Sequence, residues 1–374
     1  LTGKILHPPY CKRMNKELSV LLMGYSGQRN FGDDLLLKLA YNYLDENSIK
    51  MTIHTSNIGH GSDYLYEWFP NAKIVKSKSI SIKLVTSHSH VLYFGGGVFF
   101  EYEDVSFIQY LKRIYSILKI FIIPKFLRKV KYAGIGIGLG PFLSNRGENL
   151  YKIRLKQFDY LNIRDDYSKN KCEEWGLYGT TITPDLSFAF YHHLQPHIQG
   201  NQSNKVLICP RDYPHGSNKN KYINNLLNVC QNFTERGYKL TIFGFQDEHD
   251  SKVLALFEQL KATILAWNPE KMKIEDVFKI FSEHEYIITA RMHGVFVAGM
   301  VNRPSIGIKV DPKLEYAAQF FQNSCIVENN SDLDEFNSCL FKIKGEKNNM
   351  NDILMIADEC CNRYHDVINW IKCQ

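Results

Sequence analysis

Apolar runs and amphipathic stretches alternate along this chain. "LSVLLMGYSG" is an apolar run ending in a glycine turn, and "DDLLLKLAYNYLDEN" follows with apolar residues at helical spacing. Further strand-like runs stand in "MTIHTSN", "HVLYFGGGVFF", "KYAGIGIGLGP" and "FDYLNIRDDYS". The last leads into the helical "DDYSKNKCEEWGL", and "GTTITPDLSFAF" closes the series. A polar segment with Pro, Gly and Asn, "YHHLQPHIQGNQSN", reads as a linker over residues 196–204. The alternation then restarts with "KVLICPRD", "YINNLLNVCQNFTERGY", "KLTIFGFQDE", "IEDVFKIFSEH", "EYIITARMHG" and "PSIGIKVDPK", and ends on the long helix "NDILMIADECCNRYHDVINWIK". Strands alternating with helices imply parallel sheets covered on both faces. The pattern therefore predicts an α/β protein of two doubly wound Rossmann-like domains facing a cleft. Residues 14–195 form the first and residues 205–374 the second, which carries the long C-terminal helix.

Composition narrows this picture. A chain of 374 residues exceeds one ordinary core, and 44% hydrophobic with 22% charged residues is usual for a folded protein. The net charge of +6 suits an anionic substrate or surface, but is too small and too evenly spread to indicate nucleic acid. Nine scattered cysteines, without metal-site spacing, read as reduced thiols of a cytoplasmic protein. "LTGKILHPPYCKR", ahead of Met14, lacks the apolar segment of a secretory signal and is left out of the fold reading. No run reaches the ~18 apolar residues of a spanning helix. "YLKRIYSILKIFIIPKFLRKV", residues 110–130, is basic, aromatic and apolar; it reads equally as a core helix with a solvated face or as a helix lying on an anionic membrane.

Candidate chemistry gathers at the predicted strand ends, where ligands of such sheets bind. In "GYSGQRNFGDD", Gly27, Asn30 and Asp33 belong to a turn that opens a helix near Asp33. Its free N–H groups suit an anion, whereas Asp33 and Asp34 complement the helix end and would repel a phosphate. Gly95, Gly96 and Gly97 in a row point to close backbone approach by a ligand. "GIGIGLGP" fails the dinucleotide fingerprint in spacing and in its Pro141. Arg164, at the end of "LNIR", is either an anion clamp or the partner of a neighbouring acid. Arg291 and His293 share another strand end: Arg offers a planar fork for carboxylate or phosphate, and His a proton near neutral pH. Lys309, Asp311, Lys313 and Glu315 follow the next strand, as a solvated loop or as part of the cleft.

Taken in order, "GYSGQRNFGDDLLL", "YFGGGVFF", "GIGIGLGP", "NIRDDYS", "TPDLSFAF", "RMHGVFVAGM" and "PSIGIKVDPK" resemble the polysaccharide pyruvyl transferase family. The resemblance implies a two-domain fold of the type called GT-B, common among glycosyltransferases. It implies transfer of the enolpyruvyl carbons of phosphoenolpyruvate onto a sugar diol as a cyclic ketal, with no metal and no cofactor. The family's Arg-x-His signature falls on Arg291 and His293, and its strand-end arginine on Arg164. In that reading Arg291 and Arg164 hold the donor's anionic groups and protonated His293 is the acid. Gly27, Asn30, Asp33, the three glycines, Lys313 and Glu315 bind substrate. The acceptor is a saccharide, which if lipid-linked would place the reaction at the inner membrane face. A glycosyltransferase using a nucleotide sugar, or a non-catalytic scaffold on the same fold, are the alternatives.

Overall fold

The computed structural model describes residues 18–97, 99–101, 104–194, 204–212 and 219–374; residues 1–13 and nearly all of the expected linker fall outside the described residues. Seven strands form the first sheet: β1 (Ser19–Met23), β2 (Lys50–Thr55), β3 (Ala72–Lys76), β4 (His90–Phe94), β5 (Lys131–Ile137), β6 (Tyr160–Ile163) and β7 (Thr181–Ile182), ordered β3-β2-β1-β4-β5-β6-β7. Six form the second: β8 (Lys205–Cys209), β9 (Lys239–Gly244), β10 (Ala262–Ala266), β11 (Tyr286–Thr289), β12 (Ser305–Lys309) and β13 (Ser324–Glu328), ordered β10-β9-β8-β11-β12-β13. Every pairing is parallel. The expected architecture of two Rossmann-like α/β layers is therefore present. The central strands are buried along their length apart from the first residues of β1 and β8, as the apolar runs required. β3, β10 and β13 escaped the sequence reading because they are edge strands whose residues are mostly half-exposed.

The first helix spans Phe31–Glu46, two residues earlier than expected. Its N-cap is Asn30, whose side chain accepts from the Gly32 amide at 3.1 Å, rather than either aspartate. Phe31 is fully buried against the second sheet's residues, edge-on to Phe245 and Trp267, with ring centroids 5.4 and 5.2 Å away. Burying one such ring contributes about 1.5–3 kcal/mol. Its amide donates to the Phe245 carbonyl at 3.0 Å, and the Trp68 indole donates to the Pro269 carbonyl at 3.0 Å. One apolar cluster thus runs through both sheets, and the site lies where they meet.

The C-terminal helix, Met350–Cys373, returns to the first sheet's side. Tyr364 stacks on Tyr43 at 4.4 Å, Trp370 meets His90 edge-on at 5.4 Å, and Arg363 donates to Thr183 at 3.0 Å. One expectation about cysteine is corrected. Cys325 and Cys339 are disulfide-bonded, because β13 and the helix Leu333–Ile343 bring positions 14 apart in sequence to a Cα separation of 5.9 Å. Cys172, Cys209, Cys230, Cys360 and Cys361 are free thiols. No helix among the described residues is long and apolar enough to cross a membrane.

Candidate active site

In each sheet the strand order reverses once, at β1/β4 and at β8/β11. Ligands of doubly wound sheets bind outside the carboxyl ends of the strands at such reversals. Here the turns after β4, β6, β8, β11 and β12 bring Gly95–Gly97, Arg164, Arg211, Arg291 with His293, and Lys313 to one place.

Arg291 stands at the N-cap of the helix Met292–Met300, its amide held by Thr289 Oγ1 at 3.0 Å. Its Nη2 donates to Asp250, a fully buried carboxylate that also accepts from the Phe245 and Gln246 amides at 3.0 Å each. Burial pulls the Arg291 guanidinium below its ordinary pKa, against the attraction of Asp250. Its Nε is buried without a hydrogen-bond partner.

His293 lies in the first turn of the same helix and presses on the other domain. A Cβ at Gly32 would sit 2.0 Å from its Nδ1. Its Nε2 is 3.8 Å from Asp185 Oδ1, too far for a hydrogen bond, and has no other partner. Burial lowers the His293 pKa; Asp185 opposes this, while Arg164, Lys313 and Arg291 reinforce it. This direction favours the neutral imidazole in the unliganded protein.

Arg164 is buried, with Nη1 3.3 Å from Asp185 Oδ2 and Nε 3.5 Å from Asp165 Oδ2. Its guanidinium lies over the Tyr316 ring at 5.4 Å and against Gly138, where a Cβ would come within 2.6 Å of Nη2. Arg164 is thus the partner of neighbouring acids, and it faces the cluster. Burial alone would raise the Asp185 pKa; His293, Arg164 and the bonds from Ser187 outweigh it and hold the carboxyl below its usual range.

The glycine run divides its work. Gly95 (φ +52°) leaves room for Leu36, whereas Gly96 (φ +74°) and Gly97 face Asp33 and Lys313. A Cβ at Gly97 would be 2.5 Å from Lys313 Nζ, which itself lies 5.4 Å over the Phe100 ring. Burial, with Arg164 and Arg211 nearby, lowers the Lys313 pKa. Asp33 is pushed up to about 7, first by burial and then by Asp34; Asp34 is likewise raised to about 7 by burial, although Tyr64 and Trp267 donate to it. Neither carboxyl is firmly charged near neutrality, so the repulsion of a phosphate expected from this pair is weakened.

Three candidates stand apart from the cluster. Gly27 (φ +75°) closes a turn against Thr55, and its carbonyl accepts from Asn57. Asn30 is occupied as helix cap and by Gln246 at 3.3 Å. Glu315 is exposed and pairs with Lys309 at 2.8 Å. Conversely, Asp185, Asp250 and Arg211, which is 3.6 Å from Asp311, were not among the candidates. Asp185 stood in "TPDLSFAF" without a partner to give it meaning, and Asp250 is 41 positions from the arginine it holds. Among the described residues no group of three or more His, Cys, Asp or Glu is arranged to hold a metal ion.

Against known families, residues 30–312 match the model of polysaccharide pyruvyl transferase. The chain belongs to that family. A search of curated proteins returns no match. Among solved structures, the chain is similar to UDP-GlcNAc 2-epimerase from Methanocaldococcus jannaschii (TM-score 0.62, 12% identity, covering 94% of this chain and 99% of that one). It is also similar to UDP-N-acetylglucosamine 2-epimerase from Rickettsia bellii (0.59, 13%, 95% and 98%) and to a glycosyltransferase from Rickettsia africae ESF-5 (0.53, 14%, 95% and 94%). At such identities the likeness shows the fold, and that fold is GT-B. Membership of the family makes the protein a transferase of polysaccharide biosynthesis.

Proposed function

We propose that the protein transfers the pyruvyl group of phosphoenolpyruvate to two hydroxyls of a saccharide in a cell-surface polysaccharide precursor, forming a cyclic ketal. The observation that carries this reading is the convergence of Arg164, Arg291 and Lys313 around His293, where the buried Arg291 Nε and His293 Nε2 have no hydrogen-bond partner. Buried polar groups are almost always satisfied, so two unpartnered nitrogens in a cationic pocket suit an anionic ligand's oxygens. A donor with a carboxylate and a phosphate carries such oxygens.

In this reading the arginines and Lys313 bind the donor, and its negative charges raise the His293 pKa, so that a proton is loaded only with donor in place. His293 then protonates the methylene carbon. One acceptor hydroxyl bonds to C2, the C2–O bond to phosphate breaks, and the second hydroxyl closes the ring. Of the two hydroxyl protons released, one replaces that given to the methyl group and the other leaves with phosphate. Asp185 steadies the transient imidazolium.

Calorimetry with phosphoenolpyruvate and with a panel of UDP-sugars tests this, using wild type and Arg291→Lys. Saturable phosphoenolpyruvate binding, weakened in the variant, is expected. Binding of a UDP-sugar alone would instead support a nucleotide-sugar transferase; among the neighbours of like fold, a UDP-GlcNAc 2-epimerase is seen in complex with UDP-GlcNAc.

A further inference from the structure

The basic apolar stretch 110–130 forms a helix Phe107–Ile117, a π-helical turn Leu118–Ile122 and a helix Ile123–Arg128. It carries two apolar stripes. Tyr110, Ile114, Ile117, Ile120 and Phe121 pack into the second apolar cluster of the first domain. Ile108, Leu111, Tyr115, Leu118, Ile122 and Phe126, spaced three or four apart, form a separate stripe left in solvent; Ile108 is 66%, Tyr115 68% and Phe126 86% exposed. Exposed apolar residues scattered singly are ordinary, but six along one face of a continuous helical element are not.

Charge decides what would cover them. Lys112, Arg113, Lys119, Lys125, Arg128 and Lys129 flank the stripe, and no Asp or Glu occurs between Asp104 and Glu148. The acid near Lys125, Asp159, is already met by Lys125 at 2.9 Å and approached by Lys131 at 3.9 Å. A second copy docking through the same face would set like charges against like. An anionic bilayer accepts both features: headgroups take the cations, and the rings and branched side chains enter the acyl boundary. The same element lines a cavity of about 920 Å³ through Arg113, Tyr115 and Lys119; its lining also includes Gly24 after β1 and Phe100, the ring beneath Lys313.

We propose that residues 107–129 are a membrane-docking element that binds an anionic lipid surface, and that this sets the neighbouring cavity beside the bilayer. The proposal does not depend on which group the active site transfers.

The test is flotation of the full chain with vesicles of phosphatidylcholine alone and of phosphatidylcholine mixed with phosphatidylglycerol. Wild type is expected to float with the anionic vesicles and to be released by salt. Lys112→Gln should reduce partition about fivefold, and Phe126→Asp about tenfold or more. Both positions are exposed, and thermal melts matching wild type verify folding. Failure of wild type to float, or flotation indifferent to both variants, overturns the proposal. So does a wild-type dimer in sedimentation velocity that Phe126→Asp converts to monomer, since a second copy would then own the face. Calorimetric donor binding is expected unchanged in both variants, so loss of lipid binding is read independently of the active site.

Discussion

Gly32→Ala isolates the placement of His293. Gly32 lies in the first turn of the helix Phe31–Glu46, where alanine should favour the helix by about 1 kcal/mol. The added carbon would fall 2.0 Å from His293 Nδ1, against the 3.4 Å at which ordinary contact begins, so the ring must withdraw by about 1.4 Å. The helix backbone cannot yield instead, because Phe31 beside it is locked between Phe245 and Trp267. The arginines proposed to hold the donor are not displaced. A catalytic group misplaced by about 1 Å costs on the order of a hundredfold in rate. The expected result is near-normal melting temperature and phosphoenolpyruvate affinity, with phosphate release in the presence of a diol-bearing acceptor reduced about a hundredfold. Calorimetry, a thermal melt and a phosphate assay read the three quantities. A variant that folds, binds donor and turns over normally would refute the assignment of His293 to the reacting atoms.

Other expectations concern charge and pH. Trp267→Phe removes the 2.8 Å bond from the indole to Asp34; it should cost about 1.5–3 kcal/mol at pH 8 and less at pH 5, where Asp34 is neutral, as urea titrations would show. Asp33 and Asp34 have folded pKa values near 7, above their unfolded values, so the native state holds protons that the unfolded chain has released between about pH 4 and 7. The associated stabilisation is complete below the unfolded value and is lost as pH rises through about 7, by at most about 4 kcal/mol per group. Asp33→Asn should flatten that fall in urea titrations from pH 5 to 8.5. By NMR, the His293 ring should titrate below the ordinary histidine range in the free protein and shift upward with phosphoenolpyruvate, an upward shift that a ligand bound elsewhere would not produce. Asp185→Asn leaves Arg164 without its 3.3 Å partner and should destabilise by about 3–5 kcal/mol, read by thermal melt.

The central strands were legible because strands buried on both faces are written as apolar runs, and their glycine ends marked the side of the sheet that carries chemistry. β3, β10 and β13 were not, because an edge strand keeps polar residues on its open face, as in Ala72–Lys76. Arg164, Arg291, His293 and Lys313 could be picked out because each stands within four residues of a strand's carboxyl end. Asp185 and Asp250 gain their meaning from partners that only folding supplies, and no local pattern marks them; Arg211 stands two residues past β8 as Arg291 stands past β11, so the same rule would have found it. Asn30 shows the converse: a polar residue in a glycine-rich turn resembles a ligand contact, but capping the helix and bonding Gln246 use its side chain. The stretch 110–130 was ambiguous between core and surface because it serves both, with one stripe for each.

The path of the C-terminal helix bears on the order in which the molecule can be completed. Ile353, Ala357, Cys360, Tyr364, Val367, Ile368 and Ile371 are buried on elements made long before them, including the 3-10 segment Leu186–His193 and the helix Phe31–Glu46. As the chain is synthesised from its N-terminus, the first sheet forms early but keeps part of its helical cover open until these residues emerge. The two halves are thus finished together rather than in succession: this late helix seals the first domain, and a nascent chain stopped after the second sheet would present an unsealed apolar surface on the first.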